Sequence, residues 1–276
     1  MRCGVDIPII IFGDVHRDSP NHADGKWQSD LAEWRKRKDA YFLGMGDYLD
    51  STSTSERECL GNISPNMHDT YRKDLEALQM AKVELVAKEL AFMRGRLIGL
   101  VNGNHYFEFK SGMNGDQLLA HDLDCKYLGV CSLIRLQFQQ GDQFHSVDLF
   151  VHHGMGAARL IGGSLNRVAQ MFEGVEADVT IMGHDHKRGA VPATPRVYLD
   201  NTSIGGLKLK QRETWAVRSG SYLRSYQDGE SNYNVDSCRP PCSLGHVEMR
   251  VKFTHKSTSI AGKRDRHYER EIHFVT

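Results

Sequence analysis

Cysteine is sparse in this chain, and long apolar runs are missing. Six cysteines (Cys3, Cys59, Cys125, Cys131, Cys238 and Cys242) are scattered over 276 residues, too thinly for a disulfide-held scaffold of this size. Only Cys238-Arg-Pro-Pro-Cys242 brings two of them close. With two stiff prolines and no second CxxC, it reads better as a turn with two reduced thiols than as half a zinc site or a redox pair. No segment reaches the length of a membrane span, and the run Ile7 to Phe12 is too short for a secretory signal. A cytoplasmic protein is therefore expected. Net charge is also absent: 35 basic residues balance 35 acidic ones, which leaves no electrostatic footprint for wrapping a long polyanion. Neither an internal repeat nor an interdomain linker interrupts the chain, so residues 1–276 read as one domain.

Short apolar segments alternate with helical patterns over the first two-thirds. Ile7 to Phe12, Ala40 to Met45, Leu97 to Val101, Cys131 to Gln139, His145 to Val151 and Asp178 to Met182 read as strands, with Gly141-Asp142 as a turn. Ser29 to Lys38, Asp69 to Met93 and Ala157 to Glu173 have helical spacing. Along the second of these, Tyr71, Leu75, Leu78, Leu85 and Leu90 are expected near one face. Ser51 to Asn66 reads as a loop. After Arg196 the pattern is β throughout, over Val197 to Ile204, Glu213 to Arg224, Gly245 to Phe253 and Arg270 to Val275. This order predicts an α/β fold with a two-sheet β-sandwich core flanked by helices, residues 196–276 completing the second sheet.

Five apolar strands end abruptly in residue types that bind metals: Gly13-Asp14-Val15-His16, Gly46-Asp47-Tyr48-Leu49-Asp50, Gly103-Asn104-His105, His152-His153-Gly154 and Gly183-His184-Asp185-His186. Strand C-termini in an α/β sheet converge on one edge, where ligands usually bind. In extended chain, positions i and i+2 face one side, so Asp14 with His16 and His184 with His186 are expected to share a site. Carboxylate, imidazole and amide oxygen without thiolate suit Mn, Fe or Zn in a non-structural site. A lone carboxylate among imidazoles is a natural bridge between two cations, an arrangement suited to phosphoryl displacement.

These blocks, in this order, resemble the calcineurin-like metallophosphoesterase superfamily (D-x-H, G-D-x-x-D, G-N-H, a lone H, and G-H-x-H), and span Asp14 to His186. The likeness extends in a general way to phosphoesterases of phage and prophage genomes, which favours a nucleotide, DNA or RNA substrate slightly. It implies a four-layer architecture and two divalent ions, Mn before Fe or Zn. Asp14, His16 and His186 would hold one ion, Asn104, His152 and His184 the other, with Asp47 bridging. His105 would be the general acid, Asp50 its carboxylate partner, and the nucleophile a metal-bound hydroxide acting on a phosphomonoester or phosphodiester.

His152 is favoured over His153 because the family's H-x-G and H-x-P forms place the ligand first; His153 then faces substrate or merely packs. Arg17, where the family often has Gly, either sets a cation near the phosphate or alters the loop. Tyr106 stands where many members carry an acid. Lys187 and Arg188, directly after the last block, are candidate substrate contacts. The basic run Arg35 to Lys38 reads as a solvated helix face. A non-catalytic scaffold on the same fold is the competing reading, disfavoured because the ligand set and His105 are retained. Composition says nothing of the oligomeric state.

Overall fold

The structure, a computed structural model, describes residues 6–63, 67–140, 142–156, 158–202, 206–229, 233–236, 238–260 and 263–276. Cys3, Gly141, Ala157 and residues 64–66 and 203–204, all covered by the expectations above, lie outside this set.

β1 (Ile7–Phe12) is buried along its whole length, as a continuous apolar strand covered on both faces must be. It lies parallel to β2 (Tyr41–Gly44), and β2 lies parallel to β3 (Leu97–Leu100). On its other side β11 (Val247–Ile260) runs antiparallel and pairs with β12 (Lys263–Val275), so the sheet order is β12-β11-β1-β2-β3. The second sheet is built from β4 (Cys131–Gln140), β5 (Gln143–His152), β6 (Val179–Met182), β7 (Arg188–Pro192) and β10 (Trp215–Ser219). Its order is β4-β5-β6-β10-β7, with β5, β6 and β10 mutually parallel. β8 (Arg196–Thr202) and β9 (Gly206–Arg212) form a separate two-stranded ribbon.

Alternation along β1 assigns its side chains to two cores. Ile10 and Phe12 pack with Trp27, Leu31 and Trp34 of α1 (Asp24–Lys36), Val83, Val86 and Leu90 of α3 (Asp69–Leu90) and Leu119 of α4 (Gly115–Asp122). Ile7, Ile9 and Ile11 face the opposite way and meet Leu149, Val151, Ile181 and Val217 of the second sheet. On that sheet's far face, Phe150, Met182 and Ala216 pack against Val168 of α5 (Ile161–Gln170). Each fully buried isoleucine here contributes about 1.5–3 kcal/mol. The layers run helix, sheet, sheet, helix, the α/β sandwich that the element order predicts.

Several details differ from expectation. The tail after Arg196 does not simply complete the second sheet: β10 joins it, but β11 and β12 extend the first, since β11 is the antiparallel neighbour that covers β1. Within 51–66 a helix, α2 (Thr54–Ile63), replaces the expected loop. In α3 the buried face is Gln79, Val83, Val86, Ala87 and Leu90, while Tyr71, Leu78 and Leu85 are exposed. The face was set by what α4 and β1 offered, not by the bulkiest side chains. Arg37, read as part of a solvated run, instead pairs with the nearly buried Glu248 of β11.

Candidate metal centre

The parallel strands β1, β2 and β3 of one sheet and β5 and β6 of the other end at a common edge, and the five polar blocks follow them. The chain leaves each strand by a sharp turn. Asp14 (φ 46°), His16 (46°), Asp47 (52°), His184 (73°) and His186 (58°) are five of the seven non-glycine residues with positive φ among those described. That conformation costs about 1–2 kcal/mol per residue, and such outliers cluster at functional sites. The extended geometry assumed for Asp14/His16 and His184/His186 is thus replaced by left-handed turns. The residues still reach one site, but His184 and His186 join different groups.

Two glycines make the close approach possible. A Cβ on Gly103 would collide with the Asp47 carboxylate, and one on Gly46, itself at φ 96°, would sit 2.6 Å from His153 Nδ1.

One group comprises Asp14, His16 and His186, with ligand atoms within 4.8 Å of one another; a second comprises Asp47, His153 and His184. Asn104 belongs with the second, its Oδ1 lying 2.9 Å from His153 Nε2 and 2.7 Å from His184 Nδ1. Asp47 stands between the groups: its Oδ2 is 3.2 Å from His153 Nε2 and 3.8 Å from His16 Nε2. Its other oxygen, Oδ1, accepts the backbone N–H of His105 at 2.9 Å.

Here one site expectation is corrected. His153, not His152, reaches the second group. β5 alternates, so His153 continues the inward row of Val147, Leu149 and Val151, while His152 follows Phe150 toward α5. The His152 ring turns back on its own loop, its Nδ1 accepting the Gly154 N–H at 2.7 Å. The alternation is legible in the sequence, where Asp148 marks the other row as the less apolar one.

The histidine hydrogen bonds bear on whether cations fit. His16 Nδ1 is 3.1 Å from Asp50 Oδ1, which orients the ring and leaves Nε2 facing Asp47. That Nε2 is buried without a hydrogen-bond partner. His153 Nδ1 faces the Met45 carbonyl at 2.8 Å, leaving its Nε2 toward Asn104 and Asp47. A ring nitrogen tied to an oxygen acceptor, with the second one free and turned to carboxylates, is the usual posture of a metal-ligating histidine. The donors present, carboxylate, imidazole and amide oxygen in two adjoining groups, therefore suit divalent cations.

Electrostatics agree. Burial, with the Asp47 charge adding to it, pushes the Asp14 carboxyl up to about 7. Burial also opposes ionisation of Asp47, but the charges on His153 and His16 outweigh it and hold that carboxyl well below the ordinary range. Burial disfavours charge on His153, yet Asp47 raises it to about 9. His184, buried and beside His153, falls to about 4.

His105 sits at the rim. Its Nδ1 lies 2.9 Å from Asp50 Oδ1 and 3.2 Å from the Asp50 carbonyl. Burial opposes its charge, but the Asp50 hydrogen bond and the Asp47 and Asp50 charges raise it to about 9. Above the rim opens a cavity of ≈ 860 Å³ whose lining includes His16, Asp47, Asp50, His105, His184, His186 and Lys187.

Arg17 and Arg188 do not line this cavity. Arg17 grips Glu89 with three hydrogen bonds of 2.9–3.0 Å, and Arg188 donates to the Leu244 carbonyl at 2.7 Å. Both are used within the fold.

Several supporting residues were not anticipated. Arg218, fully buried in β10, donates to the Gly183 carbonyl at 2.8 Å and sits 3.4 Å from Asp185. A single arginine in Trp-Ala-Val-Arg-Ser was the available signal. Asp116 accepts the Gly103 N–H at 2.8 Å, and Ser221 Oγ donates to the Asp14 carbonyl at 3.0 Å. Arg57 of α2 donates to the carbonyls of Thr52 (2.6 Å), Asn104 (2.8 Å) and Tyr106 (3.2 Å).

No family model and no curated protein matches this chain. Among solved structures, it is similar to a conserved uncharacterized protein, a predicted phosphoesterase, from Streptococcus pneumoniae: 13% identity over 96% of this chain and 99% of that one, TM-score 0.30. It is also similar to a metallophosphoesterase from Sphaerobacter thermophilus: 14% identity over 96% of this chain and 88% of that one, TM-score 0.34.

Proposed function

We propose that this protein is a binuclear metal-dependent phosphoesterase that hydrolyses a phosphomonoester or phosphodiester. The observation that carries the reading is the position of the Asp47 carboxylate between two sets of donors, 3.2 Å from His153 and 3.8 Å from His16. Two divalent cations, Mn favoured, would supply positive charge to the phosphoryl oxygens and acidify a water. The chain's own residues do the rest. Asp14, His16 and His186 orient one face of the site; Asn104, His153 and His184 orient the other. Asp50 holds the His105 ring by Nδ1, so that Nε2 is turned to the cavity to protonate the leaving oxygen.

The cavity is of small-molecule size, which favours a nucleotide-sized ester over an extended polymer. Hydrolysis of 4-nitrophenyl phosphate and bis(4-nitrophenyl) phosphate with Mn, Fe or Zn tests the activity, and a panel of nucleotides, cyclic nucleotides, single-stranded DNA and RNA tests the class. Turnover of at least one ester type that vanishes with chelator supports the reading. Inactivity on both nitrophenyl esters with every metal would sink it.

A further inference from the structure

The walls above the two donor sets carry more positive charge than one phosphate calls for. Arg159, Lys187, Arg224 and Arg239 all line the cavity. They come from four separate segments: ahead of α5, directly after His186, after β10, and within the turn 238–242. Arg159, Lys187 and Arg224 have no carboxylate partner among the described residues. Lys187 Nζ rests 3.5 Å from Cys242 Sγ, and Arg224 donates to Gln227 Oε1 at 3.2 Å. The turn bearing Arg239 is pinned over the site by the Tyr226 hydroxyl, which donates to the Arg239 carbonyl at 2.7 Å.

The acids of the same cavity do not offset Arg159, Lys187 and Arg224. Asp47 is engaged by His153, Asp50 by His16 and His105, and Asp185 by Ser164 and Arg218. The cavity is therefore divided into an acidic and imidazole floor, suited to cations, and a cationic wall. Like charges brought to one concave surface repel each other, and a low-dielectric cleft focuses their field on whatever anion enters. Guanidinium groups add fork geometry that matches phosphate and carboxylate oxygens.

We propose that this wall is a second anion subsite, and that the substrate is a phosphate ester whose leaving group itself carries a phosphate. The proposal rests on the phosphoesterase reading, which places the scissile phosphate on the floor.

The test uses two compounds alike but for the second phosphate, propyl phosphate and propane-1,3-diyl bisphosphate, with the metal-loaded protein. The bisphosphate offers two equivalent ends, so a factor of two in kcat/KM is statistical. The subsite predicts a preference of tenfold or more, expressed chiefly in KM, and a drop in that ratio of at least fivefold in Arg224→Gln and in Arg159→Gln. A wild-type ratio near two, or a ratio that survives both substitutions, overturns it. Calorimetric binding of the same compounds separates this from the parent reading. If the bisphosphate binds at least tenfold tighter in an Arg224-dependent way while neither it nor the nitrophenyl esters are hydrolysed with any metal, the phosphoesterase reading fails and the subsite stands. Equal binding of the two removes the subsite.

Discussion

Asn104 Oδ1 lies 2.9 Å from His153 Nε2, although His153 already presents its other ring nitrogen to the Met45 carbonyl. Two lone pairs facing each other at that distance repel unless a proton or a cation lies between them. Burial opposes a charge on His153, but Asp47 outweighs it and raises the group to about 9. Under the proposed function the same atoms would be metal ligands. His153→Ala should therefore lose one of two bound ions and nearly all activity, while His152→Ala keeps both ions. Metal content of the two purified variants decides the point; the reverse pattern would restore His152 as the ligand.

His105 Nδ1 lies 2.9 Å from Asp50 Oδ1, so under the proposed function the two are expected to act as one unit. Removing a positioned general acid typically costs 10²–10⁴-fold, so His105→Ala should lower kcat by about that much with bound metal unchanged. Asp50→Asn should lower kcat by about 10–100-fold, less than losing the acid itself. The double variant should be no slower than His105→Ala, because residues that act together are non-additive. Multiplicative losses in steady-state kinetics would show that the two act separately.

Arg57 ties the segment bearing Asp50 to the one bearing His105, and its guanidinium lies 3.9 Å over the Tyr106 ring. Tyr106 thus serves as the platform for a cation. Arg57→Ala should reduce kcat about tenfold or more, since small misplacements of a reacting group are costly, with KM little changed. Guanidinium added to the buffer should restore part of the rate. A variant as fast as the parent would rule the clamp out.

Arg17 illustrates what the sequence could not reveal. Its neighbour in sequence is a site residue, but its partner Glu89 is 72 positions away in α3. Nothing local announces that pairing. The same holds for Arg218, whose role depends on Gly183 and Asp185 meeting it across β6 and β10. By contrast, Asp14, Asp47, Asn104 and His184 were legible because each follows a short apolar strand, and strand ends of parallel sheets converge by topology. The sandwich was legible for the same reason, since strands such as Ile7–Phe12 that are apolar on both faces need cover on both. The sheet that receives β11 and β12 was not, because pairing partners far apart in sequence leave no periodic mark.

The Arg17–Glu89 pair also sets an acid limit on stability. Burial raises the Glu89 pKa, but hydrogen bonds from Arg17, Trp27 and Gln28 outweigh it, so the folded value lies below the ordinary 4.5. The unfolded chain binds the proton more readily, so stability rises with pH through this window. The pair's contribution is full above about 4.5 and is lost as pH falls through the depressed folded value. Glu89→Gln should cost about 1–3 kcal/mol at pH 7, and the gap to wild type should close in acid. Urea melts at pH 7 and pH 3.5 read this directly; a gap independent of pH would mean the carboxylate charge is irrelevant.

Sharing of Asp47 between two cations is read out by the metal content of the desalted, manganese-loaded chain, measured beside Asp47→Asn by plasma mass spectrometry. Close to two ions per wild-type chain are expected, and at most one in the variant. A wild-type chain that retains no metal, or a variant that retains both ions, would contradict it.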